Sequence, residues 1–361
     1  MPAYINTIGV AVPENSIEQR IIAEFMVRAL QLDTTEARKL HALYRSTKIQ
    51  KRHSVLRDYG QKADFEFYPN TVDIEPFPTV SQRMGAYQKY ALPLAERAIK
   101  ATQAPYCEAT HLIVVSCTGL YAPGLDIELV QRLGLSHQIR RTCINFMGCY
   151  GAFNGLKVAQ AIVEAHPAAK VLLVCVELCT LHFQKKKDDN NLLSNALFAD
   201  GAAAVWIESM PRGISLKMKD FRCDLLLEGS SDMAWQVGDF GFEMVLSAYI
   251  PHLVKGGIKT LVEKLYEQNA LQKADFYAIH PGGRAILEAC EAQLGISPDD
   301  NRYAYDILRS YGNMSSCTVL FVLHRLMQDL TPADHHKHIF SAAFGPGLTL
   351  ETGLLEIVVR D

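Results

Sequence analysis

Three features of the chain predict an α/β fold. Short continuous apolar runs, such as His111–Cys117 and Lys170–Leu178, read as strands buried on both faces. Between them lie segments whose apolar residues recur every three and four positions, the spacing of one helix face. Runs and segments alternate along the whole chain, the grammar of strands joined by crossover helices.

Residues 3–12 form the first strand, closed by Pro13-Glu14-Asn15-Ser16. Ile17–Leu32 is an amphipathic helix with Ser16 placed to cap it. Ser81–Thr102 is helical. The strand His111–Cys117 ends in the turn residues Thr118-Gly119 and Pro123-Gly124, and Asp126–Leu133 is the next helix. In the unit Cys143–Glu164 an apolar run ends in Gly148-Cys149-Tyr150-Gly151, after which Ala152, Leu156, Ala159 and Val163 mark one helix face. Strand Lys170–Leu178, a polar break Lys185–Asn191 and strand Ala202–Ile207 follow. Phe276–His280 is a strand ending in Pro281-Gly282-Gly283, with a helix Arg284–Leu294 behind it. Ser310-Tyr311-Gly312-Asn313 opens an apolar helix to Met327. Ile339–Ala343 is a strand ending in Phe344-Gly345-Pro346-Gly347, and Leu348–Val359 is the last strand. The two halves follow one scheme. The helix begun at Cys149 precedes a strand much as the helix begun at Asn313 does, which predicts an internal duplication facing Cys149 toward Asn313.

With 361 residues, 49% of them hydrophobic and 21% charged, the chain can bury a large core. A net charge of −3 argues against a nucleic-acid-binding surface. The nine cysteines are odd in number and scattered, several inside apolar runs, so they form no disulfide framework and suit a reducing cytoplasm. No Cys or His spacing suggests zinc, and His335, His336 and His338, set among Asp and Lys, read as a solvated loop. The first residues lack a secretory signal and no apolar run is long enough to span a bilayer, so a soluble cytoplasmic protein is expected.

Chemistry concentrates at three element ends. Cys149 sits at or just before a helix N-terminus, where unpaired N–H groups and the helix dipole favour an anion and lower a thiol toward thiolate; a small buried cysteine is the plain alternative. His280 ends a strand, where open α/β sheets place their sites, although a core histidine also fits. Asn313 is a helix N-cap or a hydrogen-bond donor without proton chemistry. The basic run Arg45, Lys48, Lys51 and Arg52 is either a solvated helix end or a landing site for a phosphorylated carrier.

Taken together, Gly148-Cys149, the stretch ALFADGAA from Ala196, IHPGG from Ile279, YGNMSS from Tyr311 and FGPGLTLET from Phe344 resemble the type III polyketide synthases, the chalcone-synthase-like branch of the thiolase-fold condensing enzymes. The resemblance covers about nine-tenths of the chain and leans toward bacterial members. It implies a layered αβαβα fold in two halves, 1–210 carrying the nucleophile and 211–361 carrying the histidine and asparagine. It implies a triad of Cys149, His280 and Asn313 that loads an acyl starter from acyl-CoA, decarboxylates malonyl-CoA and extends the chain iteratively. Phe198 and Met244 match gatekeeper positions, where plant members carry phenylalanine at the second. Cys117, Thr118, Cys179, His182, Trp235 and Ser315 fall near cavity-lining positions. Met147 falls where family members reach toward a partner's cavity, so a homodimer is implied. Arg45, Lys48, Lys51 and Arg52 fall in the coenzyme A region, and neither metal nor other cofactor is implied. The rival readings are a single-condensation ketoacyl synthase of the fatty-acid initiating type and a cysteine hydrolase of acyl-CoA.

Overall fold

The computed structural model describes residues 1–247 and 250–360. In chain order the strands are β1 (Tyr4–Ala11), β2 (Asn15–Glu18), β3 (Lys51–Ser54), β4 (His111–Ser116), β5 (Arg140–Asn145), β6 (Val171–Leu178), β7 (Asp200–Glu208), β8 (Gly213–Leu225), β9 (Met233–Gly238), β10 (Gly241–Leu246), β11 (Phe276–Ile279), β12 (His338–Gly345) and β13 (Thr349–Arg360). The helices are α1 (Gln19–Ala29), α2 (Thr34–Ser46), α3 (Val80–Ala101), α4 (Leu125–Leu133), α5 (Gly151–Ala165), α6 (Asp189–Leu197), α7 (Ile250–Gln268), α8 (Arg284–Leu294), α9 (Arg302–Tyr311) and α10 (Thr318–Asp329).

Nine strands run in the order β11-β12-β13-β8-β1-β7-β6-β4-β5. Outward from β1 the partners are antiparallel β7, antiparallel β6 and parallel β4. Outward from β8 they are antiparallel β13, antiparallel β12 and parallel β11. The same series appears twice, as the duplication in the sequence predicts, with β5 added at one edge. The two half-sheets join where β1 pairs with β8, Tyr4 with Lys217 and Ile5 with Leu216.

Apolar periodicity explains the layers. Every residue of β4 and β6 is buried, which is why both read as unbroken apolar runs. Helix α3 covers β1, β6 and β7 on one outer face, and α7 covers β8 and β13 on the other. Helices α5 and α10 lie between, each touching strands of both half-sheets. This is a thiolase-like αβαβα sandwich with internal duplication. No helix among the described residues is long and apolar enough to cross a membrane.

Two segments depart from expectation. Asn15–Glu18 pairs with Lys51–Ser54 as a strand, so helix α1 starts at Gln19 and Ser16 caps nothing; a long-range partner outcompetes the local capping signal. The helix expected from Asn313 begins only at Thr318. Asn313 is instead held extended beside Phe198, its N–H donating to Leu197 O and its C=O accepting from Ala199 N–H, and a 3₁₀ turn at Ser315–Cys317 intervenes.

Candidate active site

The candidate nucleophile lies in the connection from β5 to α5. Phe146 and Gly148 take φ values of 62° and 82°, which turns the chain sharply. A Cβ on Gly148 would stand 2.4 Å from Pro346 Cδ, so the approach of the Phe344–Gly347 loop requires glycine there. The Gly148 N–H donates to Cys117 Sγ at 3.0 Å, tying the turn to the end of β4. Cys149 follows, one position ahead of the N-cap Tyr150, and is 6% exposed.

Asn313 reaches that sulfur from the other half. Its Nδ2 lies 4.0 Å from Cys149 Sγ and donates to Gly282 O at 3.3 Å. Its Oδ1 accepts from Ser315 N–H at 2.8 Å and from Thr318 Oγ1 at 3.4 Å. The Cys149 thiol also approaches Oδ1 at 4.0 Å, so the amide lies with both its polar atoms equidistant from the sulfur. His280 stands two residues before Gly282, just past the end of β11, and its backbone N–H donates to Ala342 O at 2.8 Å. The ring is buried, yet neither ring nitrogen has a hydrogen-bond partner among the described residues. Buried polar groups are normally paired. An imidazole left free at both nitrogens, two residues from the carbonyl that holds the Asn313 amide, is available to something outside the chain.

Electrostatics here run against the helix-dipole expectation. Burial pushes the Cys149 thiol up to about 12, outweighing contacts from Ser315 and Asn313 that favour the thiolate. Burial alone pushes the His280 imidazolium down to about 3. The expected resting thiolate beside an imidazolium therefore gives way to a neutral thiol and a neutral imidazole, because neither lone charge is stable in so dry a place.

A carboxyl that the sequence analysis passed over stands behind the sulfur. Glu177, fully buried on β6, accepts from Cys117 N–H at 3.0 Å, from Thr118 Oγ1 at 2.8 Å and from Ser316 Oγ. Burial raises it to about 7 in spite of those bonds. Burial likewise raises the thiols of Cys117, Cys175 and Cys179, and Glu177 raises them further. Its signal was an acidic residue inside the apolar run VLLVCVEL.

The profile of the chalcone and stilbene synthases matches with its N-terminal domain over residues 1–211 and its C-terminal domain over 217–359. The chain belongs to this family. Among similar proteins, the alpha-pyrone synthesis polyketide synthase-like Pks18 of Mycobacterium tuberculosis is 33% identical, over 99% of this chain and 92% of that one. Type III polyketide synthase C of Arabidopsis thaliana is 30% identical over 98% and 94%. Among solved structures, the C-terminal type III polyketide synthase domain of Steely1 from Dictyostelium superposes with a TM-score of 0.91 at 27% identity, covering 99% and 100% of the two chains. PKS-I of the brown alga Ectocarpus siliculosus gives 0.90 at 29% identity, covering 99% and 98%. The protein is a condensing acyltransferase of the type III polyketide synthase family.

Phe198, the expected gatekeeper, lines a pocket. Met244, Trp235, Cys179 and His182 line the same pocket. Cys149, His280 and Asn313 are not on that wall; Phe198 connects to them through its backbone pairing with Asn313. His182 Nδ1 accepts from Phe242 N–H at 3.0 Å, so Nε2 carries the proton and donates to Thr118 O at 2.7 Å. Phe242 stacks on the same ring with centroids 4.2 Å apart. Trp235 Nε1 donates to Cys117 O at 2.8 Å, so the β9–β10 hairpin is fastened over the pocket. Ser315 lies buried beside Cys149, and Met147 is half-buried near Gly151.

The basic run is split by the fold. Arg52 is only 3% exposed, with Nε bonded to Gln19 and Nη1 to Phe198 O, so it offers no surface charge to a phosphate. That corrects its expected role, and the cause is pairing of β3 with β2, which leaves Arg52 bonded to Gln19 and Phe198. Arg45 and Lys51 line a surface groove with His41 and Tyr44, and Lys48 is exposed. A different groove opens beside the trio, walled by Ser46, Thr47, Leu197, Gly282, Gly283 and Arg284. Sequence reasoning missed it, because residues far apart in the chain form it.

Proposed function

We propose that this chain loads an acyl starter from acyl-CoA onto Cys149, decarboxylates malonyl-CoA and extends the chain by repeated Claisen condensation before cyclisation or release. In loading, Sγ attacks the thioester carbonyl, its proton passes to His280, and the departing coenzyme A thiolate takes that proton. Malonyl-CoA then loses CO₂, and the electron pair of the broken bond becomes an enolate. His280 Nε2–H and Asn313 Nδ2–H donate to the enolate oxygen. Its carbon attacks the acyl carbonyl, and Cys149 leaves as the thiolate. The observation that carries this reading is the Asn313 amide, which comes to 4.0 Å of Cys149 Sγ from the opposite half of the molecule. Two preorganised donors in a dry pocket are what a developing oxyanion requires.

The groove at Gly282–Arg284 is where a pantetheine arm would enter, with the exposed Arg45 and Lys48 near its rim in the chain. The halves 1–210 and 211–361 each supply part of one site, and the chemistry uses no metal or further cofactor. A homodimer is supported by β5, an edge strand with exposed residues next to Met147. Nine unpaired cysteines fit a reducing cytoplasm.

The test is a screen of acyl-CoA starters with carbon-13-labelled malonyl-CoA, read by mass spectrometry. Products carrying two or more labelled two-carbon units support the proposal. A single unit throughout points to one condensation, and free acid formed without malonyl-CoA points to a hydrolase.

A further inference from the structure

We propose that Arg52 and Ser194 form a polar subsite in the gate pocket that recognises an oxygen acceptor on the acyl chain, so that oxygen-bearing acyl thioesters are preferred to plain alkanoyl ones. The inference rests on the acyl-loading reading above. Arg52 is buried over the Tyr44 ring and interacts with that phenol, while Nε bonds Gln19 Oε1 at 2.8 Å and Nη1 bonds Phe198 O at 2.5 Å. Nη2 is buried with no hydrogen-bond partner, and so is Ser194 Oγ. Both residues line the same pocket, whose wall is otherwise rich in apolar groups such as Met26, Phe183, Phe242 and Met244.

The two orphans flank the gate. Phe198 N–H donates to Ser194 O at 3.1 Å, while Phe198 O accepts from Arg52. The buried carboxylate nearest in the chain's electrostatics, Asp200, is committed elsewhere, accepting from Val55 N–H, Thr180 N–H and Thr180 Oγ1 at 2.7–2.8 Å. The guanidinium Nη2 and the Ser194 hydroxyl are therefore both unpaired in the wall of one pocket. An unpaired buried donor costs free energy that a ligand oxygen would recover. The carboxylate of malonyl-CoA is a poor candidate for that oxygen, because a guanidinium would stabilise it before CO₂ loss and slow the step. Two sources remain with the same chemistry: an oxygen at the far end of the starter, or the ketone oxygens that extension installs.

The experiment measures acylation of Cys149 by rapid quench and intact-protein mass spectrometry with octanoyl-CoA, suberyl-CoA and 3-oxooctanoyl-CoA. Wild type, Ser194→Ala and Arg52→Lys are compared, with melting temperatures alongside. The preference ratio for an oxygenated chain over octanoyl should fall about tenfold in Ser194→Ala, the loss of one good hydrogen bond, and at least as far in Arg52→Lys. Ser194→Ala should melt no lower than wild type, since the hydroxyl it removes has no partner in the free protein. A fall seen with suberyl-CoA places the oxygen at the starter's end; a fall with 3-oxooctanoyl-CoA places it on the growing chain. A ratio unchanged in Ser194→Ala overturns the subsite, and that variant decides alone if Arg52→Lys does not fold. Failure of every thioester to acylate Cys149 would instead remove the loading reading, and the subsite with it.

Discussion

Replacing Asn313 by alanine removes one donor from the enolate site while leaving the backbone that carries it. The backbone bonds to Leu197 and Ala199 do not involve the side chain, so the strand-like seat beside Phe198 survives. What is lost is Nδ2, together with an acceptor for the buried Ser315 N–H. Orphaning that N–H costs stability of about 1–3 kcal/mol, which a chain with so large a core tolerates. Losing a preorganised oxyanion donor lowers the rate about 10²–10³-fold. Malonyl-CoA conversion to acetyl-CoA, followed chromatographically without starter, should drop by that factor. Loading of Cys149, measured as an acyl mass shift, should drop far less. Asn313→Asp should be worse than alanine, since it turns a carboxylate oxygen toward the developing negative charge. A folded Asn313→Ala protein that decarboxylates malonyl-CoA at the wild-type rate would refute the role given to the amide.

Three other outcomes are expected. Cys149→Ala should show no acyl adduct by intact mass with any starter, while malonyl-CoA is still decarboxylated through His280 and Asn313. Glu177→Gln should alter the pH dependence of stability: burial raises Glu177 in the fold to about 7 from the ordinary 4.5, so the native state holds the proton between those values and wild-type stability falls as pH rises through that window. The fall contributed by this group is about 3 kcal/mol, and chemical denaturation at pH 4.5 and 7.5 should show it reduced or absent in the glutamine variant. Trp235→Ala deletes the indole from the pocket wall and its bond to Cys117 O; product masses with long and bulky starters should shift toward longer accepted chains, and an unchanged starter range would show that the indole does not limit the cavity.

Much of this molecule was legible without coordinates, and the gaps have causes. Helix Arg284–Leu294 and the buried strands before Thr118 and Cys179 appear where periodicity puts them, because a continuous apolar run and an amphipathic face are properties of the segment itself. The turn at Gly148-Cys149 was legible for the same reason. Asn313 was found, but its setting was not: the residue is held extended by Phe198, a partner that no local pattern announces. Arg52 misled because four neighbouring cations look like one surface, whereas strand pairing turns this one inward. The protonation of Cys149 was misjudged because the dipole argument uses only neighbours in the chain, whereas the burial that outweighs it is set by the tertiary fold.

The joint between the two half-sheets is narrow, with Tyr4 and Ile5 the only β1 residues paired to β8. Sulfur is carried on one side of that joint and the imidazole and amide on the other. Helices α5 and α10, each packed on both half-sheets, therefore carry most of the cohesion that keeps sulfur and amide in register.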